Sequence, residues 1–403
     1  MRAALSLLIL ALSPLAAHSQ TLDCTRAQSS REITICSSTR LSALDAELAT
    51  SYKSLRAQLS PESAALVESD QNEWQHWLDL ICPEHGPGSP ASSLAGVEGK
   101  GPAEDQPGSP ASSLAGVEAR CLTNQYFTRV HDLQQVAHLG AAVIFPRAHF
   151  LFKPGTAASH IPVDPGFGYG SLRWPQIDKP NAAQSAWNDA VKTRAASRAV
   201  NFNREKRPTD STATFDTAVD ASGTIEAYFN IQAANDRFID VMLTDGTYGW
   251  GAAHPLTSRA AFLWWLDRNR ELTPADVFLP SSDWQQKLTT LAIANLHSQT
   301  DIKNYLAKDL EQPVKQTLSD PTSWTLTRDG LTITFGQYAI GPYVLGMPEA
   351  HVRWEDLAPC LEHPSTPPPS LPQNQSNEPP VPITTPAREN LLTTGNRRPA
   401  TGN

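Results

Sequence analysis

Five cysteines and one histidine-centred aromatic segment are the residues of this chain best placed to do chemistry. Cys24, Cys36, Cys82 and Cys121 fall in the first third, and Cys360 stands alone near the end. Such a set could hold a metal or pair as disulfides. Structural zinc sites use C-x2-C or paired-histidine spacings. Neither occurs here, so the reading is two disulfides and no metal. Four cysteines allow three connectivities. Local order favours Cys24–Cys36 and Cys82–Cys121, because each pair brackets one segment. Cys360 is then either a free buried thiol or half of an intermolecular bridge.

His254 lies in the Gly-rich segment Tyr248-Gly-Trp-Gly-Ala-Ala-His254. An imidazole can serve as a general base when a nucleophile or a metal accompanies it. No G-x-S-x-G and no H-E-x-x-H is present. Carboxylate pairs for glycoside hydrolysis cannot be singled out by spacing alone. The ordinary reading of His254 is a structural histidine in a tight turn, so no catalytic residue is assigned and no cofactor is implied. Tyr248, Trp250, His254 and the downstream Tyr343 are the candidate binding residues, since aromatic side chains anchor partners. Trp264-Trp265 reads as a strand pair with one ring buried and one partly exposed.

The elements that must carry these residues are legible in part. Ser29-x-x-Glu32 fits a capping box for a short helix bearing Cys36. Leu41, Leu44, Leu48, Tyr52, Leu55 and Leu59 form one helical stripe. Ser60-Pro61 ends that helix and starts another, whose buried face carries Leu66, Val67, Trp74, Trp77, Leu78 and Ile81. A third helix is expected after Cys121, using Leu122, Tyr126, Val130 and Leu133. Further on, 171–178 reads as a strand, 181–198 as a helix, and 224–233, 237–243 and 256–266 as strands. A helix is expected over 284–306. A hairpin over 324–335 carries Asp329-Gly330 as a type I′ turn, which sets Leu326 opposite Ile333 and Trp324 opposite Phe335. The fold class is multidomain: an all-α, disulfide-bonded module followed by an α+β domain with an antiparallel sheet and packed helices.

The first nineteen residues have a basic start, an apolar stretch and a small-x-small end at Ala17-His18-Ser19, which predicts a signal peptide over 1–19. No later stretch reads as a membrane span: Ala141 to Phe152 is broken by Pro146, Arg147 and His149. The expected location is periplasmic or secreted, where disulfides persist. The chain has 32 Lys+Arg and 41 Asp+Glu. Loss of Arg2 with the signal gives 31 − 41 = −10. That balance argues against nucleic-acid binding and favours a cationic partner.

Two segments lack periodicity and read as disordered. One lies at 86–120 and contains a tandem duplication, with Pro87–Glu98 recurring as Pro107–Glu118. The other is the Pro-rich tail at 363–403. The domains are thus 20–137 and 140–360. Long loops between bridged cysteines add little closure entropy, about 0.6 kcal/mol per doubling.

The cysteine frame resembles the LprI-like lysozyme inhibitor family through Asp23-Cys24, Glu32, Ile35-Cys36, Leu41, Leu44-Asp45, Leu48, Tyr52, Trp74, Cys82 and Cys121-Leu122. This resemblance implies a compact disulfide-bonded helical domain that binds lysozyme. The later region resembles the extracellular domain of RsiV-type anti-sigma factors and the non-catalytic part of PdaC-type deacetylases. The matching residues are Trp174-Pro-Gln-Ile177, Asn188, Tyr248 to Pro255, Leu272-Thr273 and Asp276-Val277-Phe278, then Phe335-Gly-Gln-Tyr338, Gly341-Pro-Tyr343, Gly346 and Val352 to Leu357. Ala252 stands where that family carries a second Gly. The resemblances together imply an exported, non-enzymatic protein that binds and inhibits lysozyme. The alternative is a peptidoglycan-binding or cell-wall-modifying envelope protein.

Overall fold

A computed structural model describes residues 21–82, 114–155, 166–204 and 213–362. The signal segment, most of the duplicated loop and the Pro-rich tail lie outside the described residues.

Helix α1 (Ser30–Ser37) starts at a full capping box: the Ser29 hydroxyl accepts from the Glu32 N–H, and Glu32 accepts from the Ser29 N–H. In α2 (Thr39–Gln58) the buried residues are Leu41, Leu44, Leu48, Tyr52 and Leu55, so the 3–4 periodicity of the sequence is the packed face. Helix α3 (Pro61–Ile81) has Ser60 as N-cap and proline in its first turn, where the missing N–H costs nothing. Helix α4 (Leu114–Gln134) begins about two turns ahead of Cys121, where the sequence placed its start. The Ala-Gly-Val-Glu-Ala-Arg stretch is mostly helix-forming, and Glu118 is buried 4.0 Å from Arg31 of α1. Cys24 is bonded to Cys36, and Cys82 to Cys121, with Cα–Cα distances of 5.5 and 5.8 Å.

The seven-stranded sheet runs β1 (Ala137–Leu139), β2 (Ala142–Pro154), β3 (Phe167–Ile177), β4 (Gly223–Ala234), β5 (Phe238–Gly249), β6 (Leu256–Trp265) and β7 (Arg270–Glu271), in spatial as in chain order. All pairs are antiparallel except β3–β4. That parallel pair requires a crossover, supplied by α5 (Ala182–Arg204) and α6 (Phe215–Ala218). The apolar stretch at 141–152, which the sequence showed only as an unfit membrane span, is strand β2.

Three apolar cores hold the chain together. Trp187, Val191 and Ala195 of α5 pack on one sheet face with Leu172, Ile225, Phe229, Val241 and Phe262. On the opposite face Trp74, Trp77, Leu122 and Tyr126 of α3 and α4 pack with Ala148, Phe150 and Tyr169 of β2 and β3. The helical region therefore shares a core with the sheet. A third core, also on this second face, joins Ala233, Phe238, Leu263 and Trp265 to the C-terminal elements. Those are α7 (Trp284–Ser298), α8 (Glu311–Leu318), the sheet β8 (Trp324–Leu326), β9 (Gly330–Thr334) and β10 (Glu349–Arg353), and α9 (Trp354–Leu357). Cys360 is a free, buried thiol.

Residues 114–120, read as part of a disordered segment, are the first two turns of α4, and two further expectations are corrected. Helix α7 stops at Ser298 instead of reaching Leu306, and Tyr305 is 52% exposed beyond it. In the β8–β9 hairpin Trp324 pairs with Ile333 and Leu326 with Leu331, two residues away from the expected register. The Thr327 N–H and hydroxyl both donate to the Gly330 carbonyl, so Arg328-Asp329 form the turn. Gly330 has no left-handed φ. A Cβ there would lie 2.3 Å from the Val352 carbonyl, so this glycine serves the close approach of β10.

Candidate functional site

The β5–β6 connection and the 336–345 loop meet at an aromatic cluster. His254 stacks on Tyr343, ring centroids 3.7 Å apart and planes at 21°. The Pro255 carbonyl accepts from the Tyr343 hydroxyl at 3.1 Å and lies 3.1 Å from His254 Nδ1. A carbonyl can only accept, so Nδ1 carries a proton. In the neutral ring Nε2 is then left to accept from the Tyr338 hydroxyl, 3.0 Å away. Tyr338 has φ of +67° and its side chain is 54% exposed. A non-glycine residue in that region is strained, and such strain persists only where surroundings over-determine it. The Thr257 N–H donates to Gln337, which pins the loop to the sheet edge at 2.9 Å. Val344, 68% exposed, extends the apolar surface.

Tyr248 and Trp250 form a separate pair with centroids 5.8 Å apart. The Tyr248 hydroxyl donates to the Ala252 carbonyl at 3.2 Å. The Trp250 indole N–H is shared by the Phe167 and Ala221 carbonyls, at 2.7 and 3.0 Å, so this ring staples β3 to the entry of β4. Of the four residues marked in the sequence, His254 and Tyr343 are brought together, while Tyr248 and Trp250 pair with each other. Tyr338, the exposed member, stood in the sequence only within the Phe335-Gly-Gln-Tyr338 resemblance and not among the candidate binding residues. Its position depends on a left-handed backbone and a contact 84 residues away, neither of which has a local signal. Gly251 takes the positive φ of the turn, +83°, and Ala252 does not, so alanine is accommodated there.

Both ring nitrogens of His254 are engaged, and among the described residues no serine or cysteine side chain is bonded to it. The arrangement presents aromatic surface. Among the described residues no group of three or more His, Cys, Asp or Glu side chains is placed to hold a metal. Among them, too, no helix is long and apolar enough to cross a membrane.

Polar chemistry lies deeper. Arg173 bonds Asp132 of α4 at 2.5 Å and Ser171 at 2.8 Å. Arg147 bonds Asp70 of α3 at 2.7 Å. Together these ion pairs fasten the helices to the sheet. Burial raises the Glu226 carboxyl, and Arg173 opposes that rise. Burial pushes Asp240 up to about 7 and Asp245 up to about 6, the latter opposed by Arg198 at 2.8 Å. His149 sits between Glu73 (2.6 Å) and Asp216 (3.2 Å), which raise its pKa, Glu73 foremost.

Residues 23–133 match the family model described as lysozyme inhibitor LprI. Residues 275–355 match a family described as a protein of unknown function, DUF3298. Each model covers less than half of the chain. No curated protein matches it. Two crystal structures of DUF3298 family members are similar in outline. One, from Bacteroides fragilis, is 14% identical, covers 56% of this chain and 95% of its own, and gives a TM-score of 0.38. The other, from Pseudomonas aeruginosa, is 15% identical, covers 58% and 98%, and gives 0.38.

Proposed function

We propose that this chain is an exported, non-enzymatic binding protein that engages and inhibits lysozyme. The observation that carries the reading is the match of residues 23–133 to the LprI lysozyme inhibitor family, over a region that holds both disulfides. In that region the large exposed apolar side chains among the described residues are Ile33 on α1 and Phe127 on α4, 54% and 40% exposed, on two helices in contact. They are the contact residues we assign there. The Tyr338–His254–Tyr343 cluster is a second contact surface, in keeping with the resemblance to RsiV-type lysozyme-sensing domains.

Charge supports the partner. The mature balance of −10 steers a cationic protein toward the surface and speeds encounter. Export through the segment at 1–19 and the two disulfides fit a periplasmic or secreted location. The test is binding of the purified mature chain, and of its Ile33→Asp and Phe127→Asp variants, to lysozymes of several classes. The variants retain the wild-type melting temperature and lose affinity. If both bind as tightly as wild type, this face is not the contact.

A further inference from the structure

We infer that the N-terminal helices and the C-terminal elements are two jaws that grip one molecule of a cationic protein at the same time. With lysozyme as the partner proposed above, on which this rests, each chain takes one lysozyme and touches it through both jaws.

The negative charge of the mature chain sits in these two regions. Residues 20–137 carry 8 Lys+Arg against 15 Asp+Glu, so 8 − 15 = −7. Residues 272–362 carry 6 against 11, so 6 − 11 = −5. Residues 138–271, with most of the large sheet and α5, carry 14 against 13, and the tail at 363–403 carries 3 against 2. Asp70 and Asp132 pair with Arg147 and Arg173 of the sheet, and Asp276 with Arg268 and Arg270. With those three carboxylates set aside, the balances are still 8 − 13 = −5 and 6 − 10 = −4. Two acidic regions thus flank a sheet region of near-zero charge, and both attract a cation.

Each jaw also carries the apolar side chains that an interface centre uses. Among the described residues the large exposed apolar side chains are Ile33 and Phe127 in the first jaw, and Tyr305, Tyr338 and Val344 in the second. None lies on the large sheet between them. The second set forms one surface. The Ala307 N–H donates to the Ile340 carbonyl at 2.9 Å, and a Cβ on Gly341 would lie 2.6 Å from the Tyr305 carbonyl. The Tyr338 and Tyr343 rings are 5.8 Å apart, and Val344 follows Tyr343 in the chain.

Both jaws stand on the second face of the large sheet and reach the same end of its strands. The turn bearing His254 follows Gly249, which pairs with Gly223 at the start of β4. Pro154 and Phe167 pair at that same end of β2 and β3. Helix α3 begins at the other end, where Ser60 is bonded to Asp178, and runs toward this one. Asp70 meets Ala148 on the way, and the Trp77 indole N–H donates to the Leu151 carbonyl further on. The Cys82–Cys121 bridge comes next, and Arg31 of α1 bonds the Cys82 carbonyl there. Ile33 is two residues from Arg31, and Phe127 is less than two turns from Cys121. Strands β3 and β6, beside which the jaws stand, are three inter-strand spacings apart, roughly 14 Å at about 4.8 Å each. A small globular domain is about 30 Å across, so one molecule reaches both jaws.

The experiment is calorimetric titration of the full mature chain with cationic lysozymes of several classes, which reads stoichiometry and Kd together. Wild type is compared with Phe127→Asp in the first jaw and Val344→Asp in the second. Both side chains are exposed, so both variants should keep the wild-type melting temperature. If either unfolds, Ile33→Ser or Tyr305→Ser reads the same jaw. A shared grip predicts one lysozyme per chain in all three proteins. It also predicts a Kd raised at least about tenfold in each variant, because losing one contact forfeits the effective concentration it gives the other. Two independent sites would instead take two lysozymes per wild-type chain and one per variant, with Kd unchanged. That result, or a loss from one jaw alone, overturns the shared grip and leaves the lysozyme reading standing. Absence of binding to every lysozyme overturns both.

Discussion

His254 and Tyr343 lie face to face at 3.7 Å, and both turn their polar atoms to the same Pro255 carbonyl. The stack joins the β5–β6 connection to a loop nearly ninety residues later, and it holds Tyr338 against solvent with its hydroxyl tied to the imidazole.

Tyr338→Gly separates the ring's role from the backbone's. Glycine adopts a φ of +67° without the Cβ conflict, a relief of about 1–2 kcal/mol. The lost hydroxyl contact offsets part of it. The melting temperature should therefore hold or rise, while lysozyme affinity falls by about 2 kcal/mol if the ring is an interface anchor. Unchanged affinity would remove this cluster from the contact surface.

Asp240 makes stability fall with rising pH. Its carboxyl is buried between strands, one oxygen lacks a hydrogen-bond partner, and burial raises its pKa from 3.8 to about 7. A group raised on folding contributes fully below its unfolded value, and the contribution is lost as pH climbs through the folded one. Asp240→Asn should raise the melting temperature at pH 8 more than at pH 5. Equal shifts at both would show that Asp240 does not titrate as described.

His149 adds a second, smaller dependence of the same sign. Glu73 and Asp216 raise its pKa above 6.5, so the bridge between α3, β2 and α6 is strongest below pH 6.5 and weakens as pH rises through the folded value. All three groups are partly exposed, so the effect is screened by salt. Thermal melts of His149→Asn against wild type from pH 5.5 to 8.5 should converge as pH rises.

Breaking the Arg173–Asp132 pair from one side should be severe. Arg173 is 2% exposed, and its removal breaks the ion pair of buried Asp132, leaving it only the through-space field of Arg129, and takes from Glu226 the cation that opposes its rise. Arg173→Met should cost about 3–5 kcal/mol by urea titration. A loss below about 1 kcal/mol would mean that the helices are fastened by apolar contact alone.

What the sequence disclosed was local. The stripe from Leu41 to Leu55 and the Ser60-Pro61 boundary depend on neighbours a few residues away and appear as read, while Leu59 is the partly buried C-cap and Leu66 is not on the buried face of α3. The hairpin kept its face parity but lost its register, because Gly330 answers to β10, which arrives later in the chain. Strand β2 carries no clean alternation, since most of its first half is buried on both sides. The Tyr338–His254 contact needs a left-handed residue that sequence does not announce.

The most direct test of the central claim is interferometry of the purified, oxidised mature chain against immobilised lysozymes of several classes, with a wall-lysis assay in parallel. The account predicts saturable binding at micromolar concentration or tighter to at least one class. That binding should weaken as ionic strength rises, and lysis by the same enzyme should fall. Absence of binding to every class at micromolar concentration, with the protein folded and both disulfides intact, would contradict it.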